Sequence, residues 1–258
     1  MKRLHNIILI ATSVLVVNAC GKIDNYEDPE ETLTGRIIDK STGQPIQIES
    51  GGGGVQIRYH DLTWAQQTGS PATSYREFNV KPDGSFNNTK FFEGEYKLYP
   101  FNGPFVPLYS ENATAPVDNS KTVYIKGVAT VDFEVEPFLK IEWLEAPTVN
   151  TDKTVTAKFK FTRGTTNPNY QFAPTDAWLI VSTTPFASFA SKNNNMSNSV
   201  TWTGTAGNAF IDQPITLTSK VAFPLGSNRT YYVRIAARTN DNVQKRYNYN
   251  EVKEVLVP

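Results

Sequence analysis

The feature that most limits how this chain folds is a strict two-residue alternation. Between Thr154 and Arg163, Val155, Ala157, Phe159 and Phe161 fall on one side, and Lys158 and Lys160 on the other. Only an extended strand puts residues i, i+2 and i+4 on one face. The pattern returns at Tyr231, Val233, Ile235 and Ala237. Strands of this kind need a second layer over their apolar face, so the fold class is expected to be all-β, with antiparallel sheets packed as sandwiches. Tyr, Phe, Val, Thr and Asn with many Gly and Pro suit short strands and turns.

The chain begins with a different kind of segment. Lys2 and Arg3 precede an almost wholly apolar run, Ile7 to Val17, closed by Asn18, Ala19 and Cys20. That order is the layout of a secretory signal, with an apolar run too short to span a bilayer. Residues 1–19 are therefore expected to be a leader. Residues 20–31 are polar and acidic without any period, and read as a tether. The rest of the chain suits two domains of about 100–120 residues each.

In residues 32–137 the strand candidates are Leu33–Asp39, Val55–Tyr59, Arg76–Val80, Gly94–Tyr99, Lys121–Lys126 and Ala129–Glu136. Ser41-Thr42-Gly43 and Pro82-Asp83-Gly84 are turns, because Pro presets φ and Asp-Gly tolerates a tight reversal. His60–Ser74 and Phe101–Asn119 read as long loops, and Pro185–Lys192 as one or two helical turns. Pro137 interrupts the pattern and marks the expected boundary. In residues 138–258 the candidates include Lys140–Leu144, Thr154–Arg163, Ala177–Ser182, Tyr231–Arg238 and Tyr247–Val257.

Net charge is zero, with 25 basic and 25 acidic residues, so no basic excess exists to hold a nucleic acid. Cys20 is the sole cysteine, and His60 the sole histidine beyond the leader. No metal site and no cofactor are expected. No Gly-x-Ser-x-Gly elbow occurs, and no spacing pairs Asp61, Asp83, Glu93 or Glu95 as glycosidase carboxylates. The four glycines at 51–54 lack the Lys and helix of a phosphate loop. No catalytic residue is assigned, and the chain is expected not to be an enzyme.

Loop aromatics beside amides are the remaining candidates, since sugar C–H faces stack on rings while amides bond the hydroxyls. Trp64 with Gln66, and Tyr109 with Asn102, are the expected ligand-binding residues, on loops and not on sheets. Trp178 lies in an apolar strand and reads as core.

Several of these stretches resemble known families. The cysteine closing the leader resembles a bacterial lipoprotein lipobox, although Asn18 stands where Ser, Ala or Thr is usual. That resemblance implies acylation of Cys20 with diacylglycerol and palmitate, and a membrane anchor. The acidic stretch after it resembles the export signal of Bacteroidetes surface lipoproteins. Gly35-Arg36-Ile37-Ile38-Asp39, Thr42-Gly43-Gln44-Pro45-Ile46 and Val55-Gln56-Ile57 resemble a carboxypeptidase regulatory-like domain, which implies a prealbumin-like sandwich. Leu225 followed by Tyr231-x-Val-x-Ile-x-Ala resembles a fibronectin type III or immunoglobulin-like strand. Taken in order, these parts resemble a domain-of-unknown-function family of Bacteroidetes lipoproteins found in polysaccharide-utilisation loci. The resemblance implies a lipid-anchored outer-membrane protein facing the cell exterior. Its expected role is accessory glycan binding, with polysaccharide and outer-membrane importer components as partners. The alternative is a spacer or interaction module without a small ligand.

Overall fold

The computed structural model describes residues 27–257, except 50, 72–73, 112–115, 223–228 and 243. Residues 1–26, including the leader, Cys20 and most of the tether, lie outside the described residues. The first half contains β1 (Glu31–Asp39), β2 (Gln56–Asp61), helix α1 (Leu62–Thr68), β3 (Arg76–Asn79), β4 (Ser85–Phe91) and β5 (Gly94–Phe101). It continues with β6 (Tyr109–Ser110), β7 (Val117–Asp118), β8 (Lys121–Ile125), β9 (Val128–Thr130) and β10 (Phe133–Val135).

One sheet runs β3-β2-β5-β8, antiparallel throughout. In the other, β1 pairs antiparallel with β4 but parallel with β9 and β10. The parallel pairs depart from a wholly antiparallel expectation. After β8 the chain crosses between sheets and runs along β1 in two short pieces. Leu33, Ile37, Phe86 and Phe133 from one sheet meet Ile57, Tyr96, Leu98 and Ile125 from the other in one buried cluster. The turn after Pro82 has the expected chemistry: Asp83 Oδ1 accepts from the Ser85 amide at 3.0 Å and its hydroxyl at 2.7 Å. Gly84 sits at φ +79°, where a Cβ would lie 2.4 Å from the Ile46 carbonyl oxygen.

Residues 60–74 are not a plain loop. Asp61 caps α1 by accepting from the Trp64 amide at 2.8 Å, and Gly69 ends it at φ 67°. Both cap signals stand in the sequence. No residue of α1 is buried, so the apolar period that identifies most helices is missing. Residues 185–192 form turns and no helix.

The second half holds β11 (Leu139–Trp143), β12 (Thr148–Val149), β13 (Val155–Arg163), β14 (Pro174–Ser182), β15 (Asn198–Thr201), β16 (Ile215–Thr218), β17 (Arg229–Thr239), β18 (Tyr247–Tyr249) and β19 (Lys253–Val257). β13 pairs with β11, β12 and β16, and faces the sheet β15-β14-β17, in which β17 also pairs with β18 and β19. Val155, Ala157, Phe159 and Phe161 all enter the core between them, as the alternation requires. Burying each of the two phenylalanines contributes about 1.5–3 kcal/mol. β17 is covered on both faces. Tyr231, Val233, Ile235 and Ala237 point into that core, while Ala236 packs with Ile180, Ala187, Tyr247 and Tyr249 on the outer side.

Arg234, also on that outer side, is 1% exposed. Its guanidinium donates to the carbonyls of Asn250 (2.7 Å), Ile48 (3.1 Å) and Ala187 (3.1 Å), and lies 4.3 Å from the Tyr249 ring centroid. The Tyr249 hydroxyl donates to Glu49. Asn248 joins the halves again, accepting from the Leu139 amide at 3.1 Å and donating to the Pro104 carbonyl at 3.0 Å. Thr165 donates to Glu136 at 2.6 Å. The two halves therefore meet through buried, hydrogen-bonded polar groups.

Candidate functional site

An open groove of about 570 Å³ lies beside β11. Its walls are Ile141–Ala146 on one side and Asn250, Glu251 and Lys253 on the other. β11 lies along β13 through pairs from Leu139–Arg163 to Trp143–Phe159. The alternation that turns Leu139 and Ile141 into the core leaves Glu142 exposed. Trp143 packs partly against the core, and its indole N–H donates to the Glu251 carbonyl at 3.0 Å. That bond fixes the ring at the groove wall.

Polar groups surround the ring. Glu145 pairs with Lys158 at 2.7 Å, Glu142 with Lys160 at 3.8 Å, and Glu251 with Lys253 at 3.1 Å. Asn250 is 5% exposed. Its Oδ1 accepts from the Ile235 amide at 2.8 Å, whereas its Nδ2 has no hydrogen-bond partner among the described residues. A buried donor left over beside a groove is unusual, since buried polar groups are nearly always paired. The groove thus offers one anchored aromatic ring and several acceptors, while the Asn250 Nδ2 is itself buried.

The four residues singled out from the sequence are not gathered in one place. Trp64 and Gln66 are exposed on α1, beyond Asp61 at one end of β2. Asn102 comes directly after Phe101, which pairs with Gln56 at the opposite end. Six strand residues separate those ends by about 17 Å. Asn102 holds a left-handed backbone at φ 68°. Tyr109 is half-buried over the outer face of β5, stacked on Tyr99 at 4.3 Å, with Lys97 Nζ 4.4 Å from its centroid. Its hydroxyl donates to Glu111 at 2.9 Å, which raises its pKa. Phe105 is buried in the first core, Trp202 packs against the second, and Trp178 lies beside the outer cluster of β17.

That outer face of β5 carries a side-chain cluster that sequence reasoning missed. Arg58 lies between the rings of Tyr75 (3.7 Å) and Phe101 (3.6 Å), and Nε donates to Glu77 at 2.7 Å. Burial lowers its pKa, but the bonds to Glu77 and Tyr99 outweigh that and leave it raised. His60 and Tyr99, both buried, approach at 3.3 Å. The available signal was the second phase of the alternation, Arg58-x-His60 and Lys97-x-Tyr99-x-Phe101. These groups are occupied with one another and pack the β6–β7 hairpin onto the sheet.

Several other carboxylates have local partners. Asp61 caps α1, Asp83 holds its turn, and Glu93 accepts from Tyr124 and Lys126, both at 2.9 Å. Buried Asp176 accepts from Trp178 (2.9 Å), Tyr247 (2.5 Å) and Arg238 (2.7 Å). Among the described residues no three His, Cys, Asp or Glu side chains are grouped to hold a metal. No described helix is long and apolar enough to cross a membrane.

Comparison with known proteins places this geometry in context. A family profile described as "Protein of unknown function (DUF3823) N-terminal domain" matches residues 31–136. The crystal structure of a DUF3823 family protein from Bacteroides uniformis is 30% identical, with a TM-score of 0.78, over 89% of this chain and 100% of that one. A DUF3823 family protein from Parabacteroides merdae is 22% identical, with a TM-score of 0.63, over 89% of this chain and 100% of that one. A Bacteroides uniformis structure named "putative carbohydrate binding protein" is 19% identical, with a TM-score of 0.64, over 89% of this chain and all of that one. The likeness of the last two is one of fold. No curated protein matches the chain.

Proposed function

This chain belongs to the DUF3823 family of Bacteroidetes proteins of unknown function, and on that footing we propose that it is a non-enzymatic, lipid-anchored glycan-binding protein. The observation that carries the reading is the Trp143 groove: one fixed aromatic ring ringed by carboxylates and a lysine. A sugar needs that combination, a flat face for its C–H surface and hydrogen-bond partners for its hydroxyls. The neighbour named for carbohydrate binding, which shares the fold over 89% of this chain, is in keeping with it. In this reading Cys20 bears the lipid in the outer membrane, the protein faces the exterior, and its glycan passes to importer components beside it. The groove replaces Trp64, Gln66, Asn102 and Tyr109 as the sugar site, because those four do not converge.

The test is retention of the purified chain in polysaccharide-containing gels, with calorimetry on whichever glycan retains it. Trp143→Ala should weaken binding of the retained glycan by about 1–3 kcal/mol, by analogy with stacking on nucleobases. Glu142→Gln, an exposed change, serves as the second variant if Trp143→Ala unfolds. Unchanged affinity in folded variants removes the groove. Retention by no polysaccharide removes the glycan reading and favours the spacer, which the buried joint between the halves would suit.

A further inference from the structure

One end of the first sandwich carries an unusual concentration of exposed apolar side chains. Trp64 is 47% exposed, Phe92 41%, Tyr124 58% and Val128 70%. Their strands tie them to a single location. Phe91 pairs with Glu31 and Val128 with Thr32. The Tyr124 hydroxyl donates to Glu93 at 2.9 Å, and the Thr63 hydroxyl next to Trp64 accepts from the Glu95 amide at 2.8 Å. This rim therefore surrounds Glu31, the point at which the chain leaves the tether and starts β1. Two of the acids within it are engaged: Glu93 pairs with Lys126 at 2.9 Å, and Glu31 accepts from the Gly127 amide, while Glu95 is exposed.

We infer that this rim is a membrane-docking surface, seated on the lipid interface to which the chain is tethered. The inference rests on the reading that Cys20 carries the anchor. Where the chain joins the rim decides the occupant. Ten residues, Gly21 to Glu30, separate Cys20 from β1. They reach at most about 35 Å even when fully extended. The rim is thus held against the bilayer at high effective concentration, so a small apolar area suffices for contact. Trp and Tyr rings suit that depth, with an apolar body and a polar edge at the headgroup level. The other end of β1, at Asp39, leads to Gln47–Glu49 and the joint with the second half. Docking by the rim therefore holds the Trp143 half away from the bilayer.

The experiment uses the lipidated full-length chain in phosphatidylcholine vesicles, with and without bromine on the acyl chains. Neutral headgroups avoid repulsion of the acidic tether. The chain should float with the vesicles, and brominated lipid should quench part of its tryptophan emission. Trp64→Phe should reduce that quenching at least twofold, because the other tryptophans belong to the second half. Val128→Glu should also reduce it at least twofold, with flotation unchanged. Flotation without quenching overturns the docking surface and leaves the anchor standing. Quenching that neither variant alters, or that only one of them alters, also overturns it. A chain that does not float overturns the anchor and the docking surface together.

Discussion

The two ends of the first sandwich reverse the usual rule of burial. At the far end, charged and polar groups are buried: Glu49, and the second half's Arg234, Asn248 and Tyr249. At the near end, Trp64, Phe92, Tyr124 and Val128 are exposed. Each inversion signals a partner. Buried polar groups persist only where bonds replace water, and at the far end the other half of the chain supplies them. Exposed apolar side chains gathered at one end indicate a surface that the other described residues do not cover. The far end is therefore a stability element, and the near end can be altered at little cost to folding.

The largest effect should come from Arg234→Ala. It leaves the carbonyls of Ile48, Ala187 and Asn250 without their donor and removes a packed side chain. Breaking a buried charged network of this kind costs about 3–5 kcal/mol, to be read from urea unfolding. A loss below about 1 kcal/mol would mean that water replaces the guanidinium easily, and the far end would lose its special standing.

Tyr249→Phe removes the bond to Glu49 and should cost about 1.5–3 kcal/mol. It also sharpens the comparison through pH. Burial, with the Glu49 charge second, raises the Tyr249 hydroxyl well above its ordinary value of 10. Burial and, after it, the Asp176 bond raise Tyr247 as well. The stability these groups contribute is whole below pH 10 and declines as pH rises beyond it, because the unfolded tyrosines ionise first. Arg234 acts in the opposite sense over that range, since burial lowers its pKa to about 10. Melting temperatures on both sides of pH 10 should therefore fall more steeply in the wild type than in Tyr249→Phe. Parallel curves would detach the hydroxyl from the joint.

Gly164→Ala tests the backbone of the joint. A Cβ there would lie 2.1 Å from the Pro137 carbonyl oxygen, so one chain must shift. A cost of about 1–3 kcal/mol is expected, seen as a lower melting temperature. An unchanged value would show that the halves part without strain. Val128→Glu at the near end should be the smallest effect, within about 0.5 kcal/mol. A larger loss would make the rim part of the fold.

Much of the architecture was legible because it is local. The period at Val155–Phe161 became β13 with every expected side chain in the core, and Pro82-Asp83-Gly84 became a turn held by its own aspartate. The helix at Leu62–Thr68 was signalled by its caps and hidden by its lack of a buried face. The groove was less accessible. Trp143 sits in an expected strand, where tryptophan normally reads as core. Glu251 and Lys253 join it only because tertiary packing brings residues 250–253 beside β11. The chosen aromatics failed to converge for the same reason: a loop's residues are adjacent in sequence, but its position depends on strand register.

The sequence by itself determined which side of each strand turns inward, since two-residue periodicity is a property of consecutive dihedral angles. Only the tertiary structure decided what becomes of the other side. The outward side of β17 is buried because Ile48, 186 residues from Arg234, supplies a carbonyl beneath it. Around Glu31 the outward side chains Trp64, Phe92, Tyr124 and Val128 are left exposed among the described residues. Periodicity gives direction, whereas cover depends on segments distant in the chain, and no local pattern carries that information.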